Sequence, residues 1–186
     1  MSTEAPSRYT SGSVGNMIRS LVVIGALMAL VILIVPRVNS VSQPPVDAAG
    51  TAQSVAAETK WPLQIPMGLP DGWRATSVRY VRSTDGVMTW HAGYTTPDNQ
   101  SVAIEQAMVP TVAWVRAEVN RARVVGTVDA GGRTWTKYVR DGKLQNSLVN
   151  DGATPAKDLT TIVTGTGTFE QLQLFADKLG VVKPAS

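Results

Sequence analysis

The 186-residue chain contains no cysteine. This absence excludes disulfide bonds, thiolate nucleophiles, cysteine-ligated zinc and iron–sulfur clusters, because each of these needs the cysteine sulfur. It also excludes a lipid anchor of the kind that is attached to a cysteine side chain. Sulfur cross-links and thiol chemistry therefore play no part in this protein, and its composition suits either side of a membrane.

Histidine is nearly absent as well, since His91 is the only one in the chain. The acidic residues are dispersed, so the sequence offers no spaced ligand set such as zinc or an EF-hand calcium site requires. His91 and Glu105, on neighbouring predicted strands, form one candidate pair for acid–base catalysis. An enzyme using them would need the two side chains to meet in a cleft, whereas a solitary histidine more often satisfies a local hydrogen bond. We expect no metal site and no catalytic residue.

Three motifs that mark enzymes are also missing. Gly165-Thr166-Gly167 precedes a predicted helix, but Glu170 replaces the third glycine of a dinucleotide-binding fingerprint, and no P-loop lysine follows. The chain has no G-x-S-x-G nucleophile elbow, and the predicted pattern places no serine near the histidine. We therefore expect no cofactor-binding residue, no cofactor and no enzymatic activity.

Long runs of basic residues are absent too. The formal net charge is +3, from 17 lysines and arginines against 14 aspartates and glutamates, and the basic residues are scattered. Nucleic-acid-binding proteins concentrate positive charge in a patch or stripe. We therefore expect no nucleic-acid partner.

The most pronounced feature that is present is an uncharged apolar run over Ser20–Val35. It predicts a transmembrane helix over 17–36, because a helix that is apolar on every face suits lipid. Its length favours a retained anchor over a cleaved signal peptide, whose apolar region is shorter. Arg8 and Arg19 precede the run and Arg37 follows it, so the positive-inside rule favours a single-pass cell-membrane protein with a cytoplasmic amino terminus.

The predicted membrane helix divides the chain into four parts. Residues 1–16 are rich in serine and glycine and read as a disordered cytoplasmic tail, and residues 37–60 read as a flexible tether. Residues 61–183 form an extracytoplasmic domain large enough for one core. Within the span, Gly25 and Ala29 form a small-xxx-small pair, which predicts a packing face for another helix.

The domain alternates between two hydrophobic periods, strands first and then a helix, twice over. This order predicts an α+β fold, in which an N-terminal single transmembrane helix is followed by an antiparallel sheet covered by two helices. A proline-rich strap at Lys60–Trp73 is expected to cover one edge of the core. The predicted strands lie near residues 76–80, 88–94, 102–108, 124–129, 133–140, 143–150 and 158–164, and the predicted helices near 112–123 and 168–179.

Five tryptophans are many for a domain of this size. Trp61 lies in the strap, and Trp114 lies between the apolar and basic faces of its helix. With Arg116 and Arg123 they form a candidate protein contact, since tryptophan and arginine are enriched at interfaces. The alternative is that the tryptophans cover the sheet as part of its core.

Several segments, taken together, resemble a known protein family. The segments are G-L-P-D-G-W-R at 68–74, W-H-A-G-Y-T-T-P at 90–97, A-I-E-Q at 103–106, G-G-R-T-W at 131–135 and V-T-G-T-G-T at 163–168. They resemble the actinobacterial family catalogued as domain of unknown function 4245, over roughly Arg19 to Leu179. The resemblance implies a single-pass, membrane-anchored protein with an extracytoplasmic domain, and it implies no activity, cofactor or catalytic residue.

Three functions remain as hypotheses. The favoured one is a noncatalytic membrane-anchored accessory or scaffold protein, whose domain binds or stabilises a larger membrane or envelope complex such as a respiratory or secretion assembly. The alternative is a binding module for a small apolar or lipid-like ligand, which would need a preformed apolar pocket. The third is an enzyme that uses His91 and Glu105.

Overall fold

The computed structural model describes residues 11–34, 46–142, 144–151 and 158–183. The chain divides into two compact units, one ending at Ser42 and the other beginning at Gln43. Each unit has its own architecture, a helix in the first and a sheet with helices in the second.

The first unit contains one helix, α1 (Ser11–Ile34). Its segment Gly15–Ile32 is long and apolar enough to cross a membrane, and its side chains are exposed. A signal sequence near an amino terminus meets the same criteria, so the helix supports membrane association in general. The predicted disordered tail is helical from Ser11 onward, because a helix nucleated by the apolar run extends into flanking residues. Residues 1–10 and 35–36 lie outside the described part.

The second unit is built on a seven-stranded antiparallel sheet. Its strands are β2 (Arg74–Arg82), β3 (Met88–Thr95), β4 (Ser101–Met108), β5 (Arg123–Ala130), β6 (Arg133–Arg140), β7 (Gln145–Asn150) and β8 (Leu159–Gly165). Their spatial order is β2-β3-β4-β8-β7-β6-β5, so β4 and β8 pair at the centre and β2 and β5 are the edges. Two short strands, β1 (Gln64–Pro66) and β9 (Leu179–Val181), pair in a separate small sheet.

One face of the large sheet carries the main hydrophobic core. Trp90, Ile104, Leu148 and Trp135 are fully buried there, on four different strands. Helix α4 (Phe169–Asp177) packs on this face through Leu172, Phe175 and Ala176. The capping box that the sequence predicts at Thr168 and Gln171 forms as expected.

The opposite face carries a smaller core beneath helix α3 (Val112–Glu118). Trp114 and Val119 lie against Ala107, Val149 and Ile162 of the central strands. The periodicity predicts a helix that continues to about residue 123, but α3 ends at Glu118. Asn120 and Arg121 then take left-handed backbone conformations that lead into β5.

A helix that the sequence analysis missed, α2 (Ala48–Thr59), occupies half of the predicted tether. Asp47 caps its amino terminus, and Ala48, Ala52, Val55 and Ala56 are buried in the main core. The tether prediction is therefore wrong for residues 48–59, because small alanines form a packing face that contains few large hydrophobic residues. The remaining tether residues up to 45 lie outside the described part.

The α+β class and the antiparallel sheet are thus confirmed, with an N-terminal apolar helix before them. The strap prediction is also sound in its main point, since Leu63 and Ile65 are buried in the main core. The sheet is covered on both faces, by α2 and α4 on one and by α3 on the other.

Candidate functional site

The four predicted contact residues of the domain do not form one exposed surface. Trp114 is fully buried, so its prediction as an exposed contact is wrong. Its ring faces the sheet, and its Nε1 donates hydrogen bonds to Ser83 Oγ and Thr89 Oγ1 at 2.9 and 2.8 Å. Trp61 is half-buried and meets Tyr80 edge-on, with ring centroids 5.5 Å apart.

Arg116 and Arg123 are exposed and line a groove beside α3. The groove consists of two adjoining hollows of about 580 and 340 Å³ that share Arg121 and Ala122. We call it the α3 groove. Its lining comprises Val112, Val115, Arg116, Ala117, Val119, Asn120, Arg121, Ala122, Arg123, Thr136, Tyr138, Val139, Arg140, Asp141, Val149 and Asp151.

The α3 groove is basic and partly apolar. Four arginines line it against two aspartates. Arg123 pairs with Asp141, Nε to Oδ2 at 2.9 Å, but both side chains are exposed, so this ion pair contributes little to stability. Val112 at its rim is 72% exposed, and Val124 on the adjoining edge strand is exposed as well. Arginines beside exposed aliphatic side chains are typical of a protein contact.

In α1, Gly25 and Ala29 lie one helical turn apart and are exposed. Their spacing still permits close approach of a second helix, and their role in packing stays a prediction.

His91 and Glu105 meet on the second face of the sheet. They are direct partners in the register of β3 and β4, and His91 Nδ1 lies 2.5 Å from Glu105 Oε1. Both are buried, at 9% and 6% exposure. The other ring nitrogen, Nε2, lies 3.0 Å from Ser77 Oγ of β2. The three side chains therefore form one hydrogen-bonded row across three strands, which we call the Ser77 row.

The sequence analysis did not anticipate the serine in this row. Strand β2 pairs with β3 in one unbroken register from Arg82 to Ser77, so Ser77 lies opposite Gly93 and Arg79 opposite His91, and the bulge at Thr76 falls beyond the row. Alternation alone gives the face of each strand but not the register between strands. Counting pairs back from the turn at Thr84–Gly86 would have found it, because that turn sets the register of the β2–β3 hairpin.

Glu118, the last residue of α3, adds a second carboxyl beside the Ser77 row. Burial raises the pKa of Glu118 to about 7, the negative charge of Glu105 adds to this rise, and His91 and Arg79 oppose it. No sequence pattern marks this group, because its environment depends on how α3 packs over the sheet.

We expect Glu118→Gln to stabilise the domain at alkaline pH and to have little effect near pH 4. In the unfolded chain the carboxyl has its ordinary pKa of 4.5, whereas in the folded domain its pKa is about 7. Stability is therefore lost as pH rises between these values, and an amide that cannot ionise avoids the loss. Since Glu118 is half exposed, screening limits the gain to about 3 °C in Tm at pH 8.

Thermal unfolding of the detergent-solubilised chain, followed by circular dichroism at pH 4 and pH 8, measures this effect. Glu170→Gln is the matched control with the opposite sign. The backbone at the start of α4 and the Thr168 hydroxyl hold the pKa of Glu170 below its usual value, so its amide variant should lose stability at pH 8. Equal responses of the two variants would contradict the assigned environment of Glu118.

No group of three or more histidine, aspartate or glutamate side chains in the described ranges is arranged to hold a metal ion.

Comparison with known proteins gives one match. The family model described as a protein of unknown function, DUF4245, matches residues 10–179. Neither the curated proteins nor the solved structures include a significant match. The match extends from α1 through α4, and on this evidence the chain belongs to the DUF4245 family.

Proposed function

We propose that this protein is a membrane-anchored accessory protein, whose extracytoplasmic domain docks through the α3 groove onto an acidic segment of a membrane or envelope protein. The observation that carries the proposal is the α3 groove itself, with four arginines against two aspartates beside exposed aliphatic side chains. Positive potential of this kind steers an acidic partner and fixes its register.

The anchor supports this function because it limits the search to partners in or near the same membrane. Helix α1 offers an apolar surface on every side, and the Gly25–Ala29 pair gives a second place for a membrane partner to pack. Two weak contacts on one chain raise each other's effective concentration, so neither needs to be strong alone.

A protein segment fits the α3 groove better than a small apolar ligand does. The space between the sheet and helices α2 and α4 is filled by fully buried side chains, including Trp90, Trp135 and Phe175. The α3 groove is open, arginine-lined and bordered by Val112 and the half-buried Tyr138, and the exposed Val124 pairs with Tyr138 on the adjoining edge strand. Arginine, tyrosine and aliphatic side chains together are the composition expected of a protein interface.

Charge reversal in the groove tests the proposal. The chain carries a photo-crosslinking amino acid at Val112, is expressed in its native membrane and is extracted with a mild detergent. We expect cross-links to an acidic peptide of one membrane or envelope protein, and Arg116→Glu with Arg121→Glu should lower their yield about tenfold. The matched control is Arg74→Glu with Arg82→Glu, which reverses two exposed charges on the opposite edge strand and should leave the yield unchanged.

Three results would contradict the docking proposal. One is recovery of an uncrosslinked, full-length monomer. Another is cross-linking to lipid alone, which would assign the groove to the membrane surface. The third is an equal loss of yield in the groove variant and in the control, which would show that total charge matters and the groove does not.

A further inference from the structure

We propose that Ser77, His91 and Glu105 form a nucleophile, base and carboxylate row that hydrolyses esters of short carboxylic acids. The connectivity is the one that acyl transfer requires. Ser77 Oγ lies 3.0 Å from His91 Nε2, and His91 Nδ1 lies 2.5 Å from Glu105 Oε1. A base within hydrogen-bond reach of the nucleophile, oriented in turn by a third group, is the signature of an activated serine. This inference is independent of the docking function and replaces the expectation that the chain has no catalytic residue.

Burial decreases along the row toward the serine, as this chemistry requires. Glu105 and His91 are buried, whereas Ser77 is half-buried at the solvent end. A buried carboxylate bonded to Nδ1 holds the imidazole in the tautomer whose Nε2 accepts a proton from the serine, and it stabilises the imidazolium that forms. The nucleophile alone is reachable by a substrate, so the row points outward.

Gly93 leaves space beside the nucleophile. It lies directly opposite Ser77 in the register of β2 and β3. A Cβ at this position would lie 2.5 Å from Ser77 Oγ and 3.3 Å from His91 Nε2. The absence of a side chain at Gly93 therefore permits the hydrogen bond between Ser77 and His91.

The reaction is balanced with water as the second reactant. Ser77 Oγ bonds to the carbonyl carbon while its proton passes to His91 Nε2, and the tetrahedral intermediate then expels the alcohol, which takes that proton. Water attacks the Ser77 ester with the same proton transfers, releasing the acid and restoring the serine. Arg79, exposed on the same face two residues along β2, is the cation placed to stabilise the oxyanion.

A fluorophosphonate probe tests the nucleophile on the full-length chain in detergent, with peptide mapping of the labelled residue. We expect labelling at Ser77 and turnover of p-nitrophenyl acetate. Ser77→Ala should abolish both, and His91→Gln should lower the labelling rate about 100-fold or more, as loss of a general base does. Thr76→Ala is the matched control, because it removes the neighbouring exposed hydroxyl and leaves the row intact.

Gly93→Ala tests whether the alignment of Ser77 with His91 matters, because this variant keeps all three side chains of the row. Its methyl group would displace Ser77 Oγ from His91, so labelling should fall at least about tenfold while the circular dichroism spectrum is retained. If Gly93→Ala fails to fold, the parent chain and His91→Gln still decide the matter.

Glu105 acts through the histidine and is a positioning residue, so its test is spectroscopic. His91 is the only histidine, and its ring signals need no assignment by mutation. Nitrogen-15 NMR should show Nδ1 protonated and Nε2 accepting, with a far-downfield Nδ1 proton that is lost in Glu105→Gln.

No labelling of the parent chain at Ser77, or a labelling rate that His91→Gln leaves unchanged, would overturn the proposal. The opposite tautomer in the parent chain would overturn it as well. None of these results bears on the docking function, which is measured by cross-linking.

Discussion

Trp114→Ala is expected to lower the free energy of unfolding of the domain by about 3–5 kcal/mol, the usual cost of removing a large buried aromatic side chain. Trp114 is fully buried and is the largest side chain between α3 and the sheet. The loss is mainly one of packing, because Ser83 and Thr89 are hydrogen-bonded to each other at 2.7 Å and keep that bond without the indole. With an ordinary stability of 5–15 kcal/mol, the variant would be partly unfolded on warming.

Urea unfolding followed by circular dichroism measures this cost without relying on tryptophan fluorescence. Two control variants on the same helix are expected to show smaller costs in free energy. Trp114→Phe keeps most of the ring and loses the indole donor, for an expected cost of about 1–2 kcal/mol. Val112→Ala removes an exposed side chain and should change the free energy by less than about 0.5 kcal/mol. A cost for Trp114→Ala below about 1 kcal/mol would mean that α3 is not held by this residue.

The docking surface depends on the same contact. Helix α3 is only seven residues long, too short to be stable in isolation, so packing of Trp114 and Val119 keeps it folded. Arg116 lies on this helix, and Arg121 directly follows it. Trp114→Ala should therefore also weaken partner cross-linking, and Trp114→Phe should leave it unchanged. In this view Trp114 supports the α3 groove from the core and does not itself contact the partner.

The sequence predicts the strands well because their signals are local. Alternation and turn residues place the hairpin at Gly131-Gly132 and the strand from Met88, and the structure has both. The capping box at Thr168 likewise needs only neighbouring residues, since its two hydrogen bonds join Thr168 and Gln171.

The predictions that were wrong or incomplete all concern tertiary packing between elements. Helix α2 buries alanines, whose small size gives no hydrophobic pattern of the usual strength. Trp114 occupies the only fully buried position of α3, although periodicity favours the exposed Val112 as a core residue. The Ser77 row depends on the register between β2 and β3, which places Ser77 opposite Gly93 and beside His91. The pattern of a single sequence predicts which residues share a face of a helix or strand. Tertiary contacts decide which of those faces is buried.

Gly165→Ala is expected to have an effect as large as Trp114→Ala, more than about 3 kcal/mol, for a different physical reason. Gly165 ends β8 and pairs with Val102 of β4 at the centre of the sheet. An added Cβ would overlap the carbonyl oxygen of Ser101 and lie 2.8 Å from its carbon. That oxygen accepts hydrogen bonds from the backbone N–H groups of Thr166 and Gly167, at 2.9 and 3.2 Å, so it cannot move without breaking them.

Gly126→Ala separates this overlap from backbone strain. Gly126 has a φ of +140°, close to the +157° of Gly165, but nothing lies within 4 Å of the position its Cβ would take. Its alanine variant should cost only the strain, about 1–3 kcal/mol, and the excess in Gly165→Ala measures the overlap. Equal costs in urea unfolding would contradict the close approach of β4 and β8. Because Glu105 lies on β4, a larger loss at Gly165 should also reduce Ser77 labelling in the fraction that remains folded, whereas Gly126→Ala, on the far edge strand β5, should leave that labelling unchanged.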